Sequence, residues 1–341
     1  MRFYRLVAVL AGMFLVHPAP VHGEDAVARV REAVKRSTLD QPGTQPFHLK
    51  AVIAPSRERD RDSGRTGEIE IWWQSPIRFR REVRSPEFRQ IEIVDGEHRW
   101  QKNEGDYFPD WLRKTAVALV RPIPYLDEVL ASVQEADTKR IMGSTYYQWS
   151  IMSSDGNVKK GLGASVALND RTGLIFYGGG FGWGAVYDDY KKFHDRVVGR
   201  KVGVGTPEVT AKIVTLEDLK DAPAPLFDTQ APGADAHPIE TVRIDELALR
   251  KNLLLPSAVT WPMVQTGPKQ GLLTTEIVVD REGRIREIGS IVGDNPAVND
   301  AARNAISAMR FAPFLQNGVP VQVISRITMA FYAAGPGGPG K

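Results

Sequence analysis

Between Ala222 and Pro238 the chain carries Pro223, Pro225, Pro232 and Pro238, with Gly233 among them. Proline lacks an amide donor and fixes φ, so no helix or interior strand runs through this stretch. The break divides the chain of 341 residues into two segments. Its length alone predicts the same, because single cores rarely grow past roughly 250–300 residues. Residues 24–221 and 239–333 are therefore expected to close separate cores, and 222–238 to join them. Hydrophobic residues make up 42% of the chain, as in globular proteins. As a semi-extended linker, about 17 residues at roughly 3.1 Å each would reach about 50 Å.

The first residues read as a targeting segment. Arg2 and Arg5 precede an apolar run from Leu6 to Val16, followed by Pro18, Pro20 and the small Gly23. That layout is a secretory signal peptide, residues 1–23, and places the mature chain in the periplasm. The run is shorter than the roughly 20 residues a membrane span needs. The alternative is an uncleaved segment anchored in the inner membrane. The formal charge of +3 falls to +1 without Arg2 and Arg5, so the charge gives no argument for nucleic acid. Cysteine is absent, which excludes disulfides, thiolate chemistry and cysteine metal sites. The Gly- and Pro-rich end, 334–341, is expected to be a disordered tail.

The first segment opens with an amphipathic helix, its apolar positions Val27, Val30, Ala33 and Val34. Strands follow. Residues 47–53 alternate; Ile69, Ile71 and Trp73 alternate with Glu68, Glu70 and Trp72; Ile77, Phe79, Arg81 and Val83 alternate with Arg78, Arg80, Glu82 and Arg84. Asp95-Gly96 signals a hairpin. A helix is expected over 107–120, ended by Arg121-Pro122. Further strands are expected at 146–152, 164–168, 174–177 and 211–215. So many antiparallel strands must cover one face with helices or close around a cavity.

Glu70–Glu82, with its Pro-Ile-Arg-Phe-Arg turn, then Ile93–Trp100 with Asp95-Gly96, then Val166–Leu174, resemble periplasmic lipoprotein carriers of the LolA/LolB type. The resemblance implies an unclosed barrel capped by helices, with an apolar cavity for lipid or lipoprotein acyl chains. Trp72, Trp73, Arg78 and Arg80 are the candidate contacts for such a ligand or its head group. The arginines Arg78, Arg80, Arg81, Arg84 and Arg89 equally suit a solvated sheet face.

In the second segment Leu273, Thr275, Ile277 and Val279 alternate as a strand, Asp280–Gly283 is a turn, and 284–292 is the return strand. Asn295 suits an N-cap and Pro296 the first helical position. Val298, Ala302, Ala305 and Met309 form one apolar stripe, and Pro313 follows the helix. Val321, Val323, Ser325, Ile327, Met329 and Phe331 share one parity of a long final strand. The fold class is α+β: a curved antiparallel sheet with covering helices, then a small antiparallel sheet with one packed helix.

Val279–Ile285, Asn299–Ala302, Arg310–Pro313 and Gly318–Val321 occur in the order and spacing of the TonB C-terminal domain, which residues 256–332 resemble. Upstream, Pro256–Pro262 departs from the family's Pro-x-Tyr-Pro. The resemblance implies docking on an outer-membrane transporter or other envelope protein, by addition of an extended peptide to a sheet edge. Val321–Phe331 is the candidate edge; its inward side chains equally read as core. Energy transducers of that family keep an anchoring helix and a long spacer. The short apolar run and short linker here point instead to an adaptor.

No enzyme chemistry is readable. His48, His98, His194 and His237 lie apart, without carboxylates at ligand spacing. There is no nucleophile elbow. Gly180–Ala185 fits G-x-G-x-x-A, but no helix pattern follows to meet a pyrophosphate. No cofactor is expected.

Overall fold

The computed structural model describes residues 23–56, 64–124, 126, 136–141, 143–149, 151–152, 158–159, 165–180, 183–205, 208–256 and 259–333. The expected signal segment (but for Gly23), residues 181–182 of the glycine run and the expected tail lie outside them.

The first segment is built on one sheet of twelve strands. In chain order they are β1 (Phe47–Pro55), β2 (Gly67–Ser75), β3 (Arg78–Arg84), β4 (Arg89–Asp95), β5 (His98–Glu104), β6 (Ala136–Ile141) and β7 (Ser144–Trp149). After a short ladder of β8 (Ile151–Met152) with β9 (Val158–Lys159) come β10 (Ser165–Asn169), β11 (Ile175–Gly180), β12 (Trp183–Phe193), β13 (Arg196–Val204) and β14 (Val209–Asp218). The spatial order is β5-β4-β3-β2-β1-β14-β13-β12-β11-β10-β7-β6, so β5 and β6 form the margins and the sheet is open. β1 pairs antiparallel with β14, Phe47 facing Asp218. The first and last strands thus meet mid-sheet, and β14 ends at Asp218, just before the prolines.

Alternation in these strands separates two faces. Phe47, Leu49, Ala51, Ile69, Ile71, Trp73 and Val83 point into one core cluster. Helix α1 (Gly23–Ser37) puts Ala26, Val30, Ala33 and Val34 into that cluster, with Val27 half-buried beside it. Helix α2 (Asp110–Ala118) adds Trp111, Leu112 and Ala116. It is shorter than the expected 107–120, because Pro109 stands at its N-cap in an extended conformation.

The Pro-rich stretch joins the two sheets but does not span solvent. It folds onto the far face of β3 to β5. Phe227 is 3% exposed and packs with Ile93 and Trp100, flanked by Trp72 and Leu226. Trp100 Nε1 donates to Ala231 O at 2.7 Å. Asp235 N donates to Gln101 O at 2.8 Å, and Asn103 N donates back to Asp235 Oδ2 at 2.5 Å. The stretch thereby covers the margin strand β5, which would otherwise offer unpaired main-chain groups.

The second sheet holds β15 (Thr241–Arg243), β22 (Val319–Tyr332), β17 (Gln270–Val279) and β18 (Ile285–Ile288) in that order, with β19 (Val292–Gly293) on β17 and β21 (Phe314–Gln316) on β22. β16 (Leu253–Leu255) pairs with β20 (Arg310–Phe311). The expected return strand, 284–292, is broken: Ile277 faces Ile288 but Thr274 faces Val292, one residue out of step. Helices α3 (Glu246–Lys251) and α4 (Asn299–Ala308) complete the domain. α4 starts later than read, after a 3₁₀ turn at Pro296–Val298 capped by Asn295 Oδ1 on Ala297 N. The stripe nonetheless holds: Val298, Ala302, Ala305 and Met309 are all buried. Val298 and Ala302 pack with Leu273 and Phe331, and Met309 with Ile277, Val323 and Ile327.

Candidate functional site

The six residues read as the docking edge face inward. Val321, Val323, Ser325, Ile327 and Phe331 are each at most 5% exposed, and Met329 is half-buried. Their side chains are core, because outward parity in this strand falls on the even positions. β22 pairs with β17 from Val323 to Tyr332, so only the main-chain groups on its other side can meet a partner.

Much of that side is already occupied. β15 runs parallel to β22, with Thr241 opposite Gln322 and Arg243 opposite Ile324. Gln322 N donates to Glu240 O at 2.9 Å and Ile244 N to Ile324 O at 3.0 Å. Ser325 Oγ donates to Ile244 O at 3.0 Å. One turn on, α3 begins at Asp245, whose Oδ1 accepts from Ala248 N. Its Glu246 accepts from Thr328 N at 2.9 Å and, through its second oxygen, from Thr328 Oγ1 at 2.9 Å. Arg250 donates to Thr328 O and to Glu246. The expected edge, Val321–Phe331, thus narrows to the end of the strand past Thr328. There Tyr332 is 72% exposed and, among the described residues, pairs with Gln270 of β17 on one side only.

The outward face of this sheet rests on the first domain. Gln322, fully buried, accepts from Phe108 N at 2.9 Å and donates to Phe108 O at 2.9 Å and Thr241 Oγ1 at 3.1 Å. Tyr107 packs against Val278 and Ile324. Lys114 bridges Asp110 at 2.5 Å and Glu276 at 2.7 Å, and Glu276 also takes Arg243 at 2.8 Å. Burial alone would raise the Asp110 carboxyl, but Lys114 and Arg113 outweigh it and hold it below its usual range. Among the described residues no cation forms an ion pair with Glu287, and Arg65 and Lys114 act on it only weakly. Burial, then the charge of Asp110, push its carboxyl up to about 7, against the opposing hydrogen bond from Asp110 N at 2.6 Å. Sequence reading missed Phe108, Asp110, Lys114, Glu246, Arg250 and Gln322. The sole local signal was the Glu246–Arg250 spacing of four on a capped helix.

The four candidate ligand contacts of the first sheet do not converge. Trp73 lies in the core, stacked on Phe47 at 5.3 Å. Trp72 lies on the opposite face, stacked on His48 at 5.2 Å. Arg80 stands 5.8 Å from the Trp72 ring and Arg78 5.2 Å from that of Phe227. On the Trp72 face Arg80 and Arg84 bond to Glu82, and on the Trp73 side Arg81 and Arg99 bond to Glu92, so these arginines are paired on both faces. Behind Trp73 a cavity of about 220 Å³ lies between Ile71, Phe79, Ala116 and Val120, with Asp40, Arg81 and Arg121 at its polar side. Cavities that take small ligands run to roughly 300–1,000 Å³.

Among the described residues no group of three or more His, Asp and Glu is set to hold a metal ion, and no helix is long and apolar enough to cross a membrane.

No curated protein matches the chain. Among solved structures, a LolA superfamily protein from Nitrosomonas europaea is 9% identical over 61% of this chain and 98% of its own, with a TM-score of 0.36. A domain described as a putative outer membrane lipoprotein-sorting protein, from Vibrio parahaemolyticus, is 9% identical over 60% and 97%, with a TM-score of 0.32. A DUF1329 family protein from Desulfovibrio piger is 9% identical over 60% and 95%, with a TM-score of 0.33. Residues 263–332, which hold β17, α4 and β22, match the family described as the Gram-negative bacterial TonB protein C-terminal.

Proposed function

We propose that the protein is a non-catalytic periplasmic adaptor whose C-terminal domain docks on an outer-membrane transporter or another envelope protein. The match of residues 263–332 to the TonB C-terminal family carries this reading. The contact would be the end of β22 past Thr328, where Tyr332 is exposed. An open strand end carrying an exposed aromatic side chain suits a partner that adds main-chain hydrogen bonds and buries hydrocarbon together. A photo-crosslinking amino acid placed at Tyr332 in cells is expected to give an adduct with an outer-membrane or envelope protein. The same residue placed at the exposed Arg171 of the first domain should give none. No adduct at Tyr332, or identical adducts at both positions, would overturn the reading.

A second reading, a carrier of lipid or lipoprotein acyl chains, is favoured by the apolar wall of the 220 Å³ cavity. That volume is below the range for small ligands, so an acyl chain would have to lift α2 from the sheet. Native mass spectrometry of protein taken from the envelope separates the two: a mass equal to the bare polypeptide counts against carriage.

A further inference from the structure

If a partner adds a strand to β22, it must join the side that β15 and α3 now hold. We infer that residues 240–251 are an internal occupant of this strand-addition margin, bound in cis, and that its stretch from Gln322 to Thr328 is closed to a partner strand until they leave. The inference rests on the docking reading and adds its regulation.

Three features carry it. First, β15 makes the ladder that an added strand would make: Glu240 O accepts from Gln322 N, and Ile244 N donates to Ile324 O. Alternation turns both main-chain groups of Val242 toward β22 between them. Second, where the chain leaves the ladder to enter α3, two side chains replace the backbone. An added strand would offer a carbonyl to Thr328 N and an amide to Thr328 O. Glu246 supplies the acceptor and Arg250 the donor, and Arg250 also bonds Glu246. Third, Gln322 ties the arrangement to the first domain, since its amide holds both Thr241 Oγ1 and the backbone of Phe108.

Magnitudes decide which strand wins. An outside peptide would exchange hydrogen bonds like for like, with little net gain from main-chain groups. The resident segment is tethered, at an effective concentration in the millimolar range for a short connection. A free peptide at micromolar concentration cannot compete with it. Any external partner therefore needs strong side-chain contacts of its own, or a prior release of residues 240–251.

The test uses a fluorescein-labelled synthetic peptide of residues 238–246 and the full-length protein. Fluorescence anisotropy should show no binding to the unaltered chain at about 100 µM, an order below the tethered concentration. Val242→Pro removes an amide that faces β22, so the variant should bind the peptide in trans at least about tenfold more tightly. A peptide carrying the same substitution should not bind. Equal binding to both proteins, or no binding to a folded Val242→Pro chain, overturns the inference. If that variant does not fold, Glu246→Ala with Arg250→Ala decides, because it leaves β15 in place. Hydrogen exchange of the Thr328 amide should then speed up about tenfold or more, and unchanged exchange overturns the inference. The peptide is the chain's own, so this outcome is independent of whether Tyr332 crosslinks to an envelope protein.

Discussion

Gly283 shows how much one residue can fix. It closes the turn after β17 at φ +80°, and a Cβ there would stand 1.8 Å from Phe311 O. That approach is used: Phe311 N donates to Gly283 O at 3.0 Å, tying the turn to β20. Gly283→Ala must push the two backbones apart and should lower unfolding stability by about 3 kcal/mol in urea titrations. The turn was legible because Asp280-Arg-Glu-Gly ends in the residue that tolerates left-handed φ. Glu287 was not, because its perturbing neighbour Asp110 is 177 residues away in sequence. Its folded pKa of about 7 lies above the ordinary 4.5, so the folded state holds this proton more tightly than the unfolded chain. The resulting stabilisation is fully present below pH 4.5 and is lost as pH rises through 7. Glu287→Gln keeps an acceptor for Asp110 N and removes the charge. Urea titrations should find it more stable than the unaltered chain by about 1 kcal/mol at pH 8, after allowance for partial exposure, with the advantage shrinking toward pH 5.

At the scale of elements, alternation alone revealed most strands, since each buries one face and exposes the other. It could not reveal that β1 and β14 are neighbours, because that pairing joins residues about 170 apart. The apolar stripe of α4 was equally legible, but the break between β18 and β19 was not, because a one-residue slip leaves no mark in composition. Residues 222–238 misled for a different reason. Their prolines exclude regular structure, which is true, but say nothing about docking. The signal lay in Leu226 and Phe227 between them, side chains a free spacer would have no reason to carry. Phe227→Ala should cost about 3 kcal/mol by leaving Trp100 and Ile93 without their cover. Loss of that cover should also expose β5, so the variant should form concentration-dependent oligomers in analytical ultracentrifugation. An unchanged urea midpoint and a monomer at all concentrations would mean the stretch only rests on the sheet.

At the scale of the whole molecule, the contact between the two sheets left no mark in the sequence. The candidate edge was read correctly as a strand, and its inward parity as core. What escaped was that its outward face is shared between domains, since no local pattern distinguishes Gln322 from a solvated glutamine. In place it is fully buried, and one side-chain amide satisfies both the N–H and the C=O of Phe108. Around it, Lys114 links Asp110 of the first domain to Glu276 of the second. Removing one partner of a buried hydrogen-bonded set costs more than the bonds themselves contribute, because the remaining groups are left desolvated. Gln322→Ala strands two main-chain groups of Phe108, and the expected loss is about 2–4 kcal/mol. That loss falls on the contact between domains rather than on either core. Calorimetry should therefore resolve a single unfolding transition of the unaltered chain into two in the variant. The same variant should loosen residues 240–251, which Gln322 holds through Thr241, and so speed amide exchange at Ile244 as well. One transition in both proteins would place the coupling elsewhere, in the Lys114 bridge.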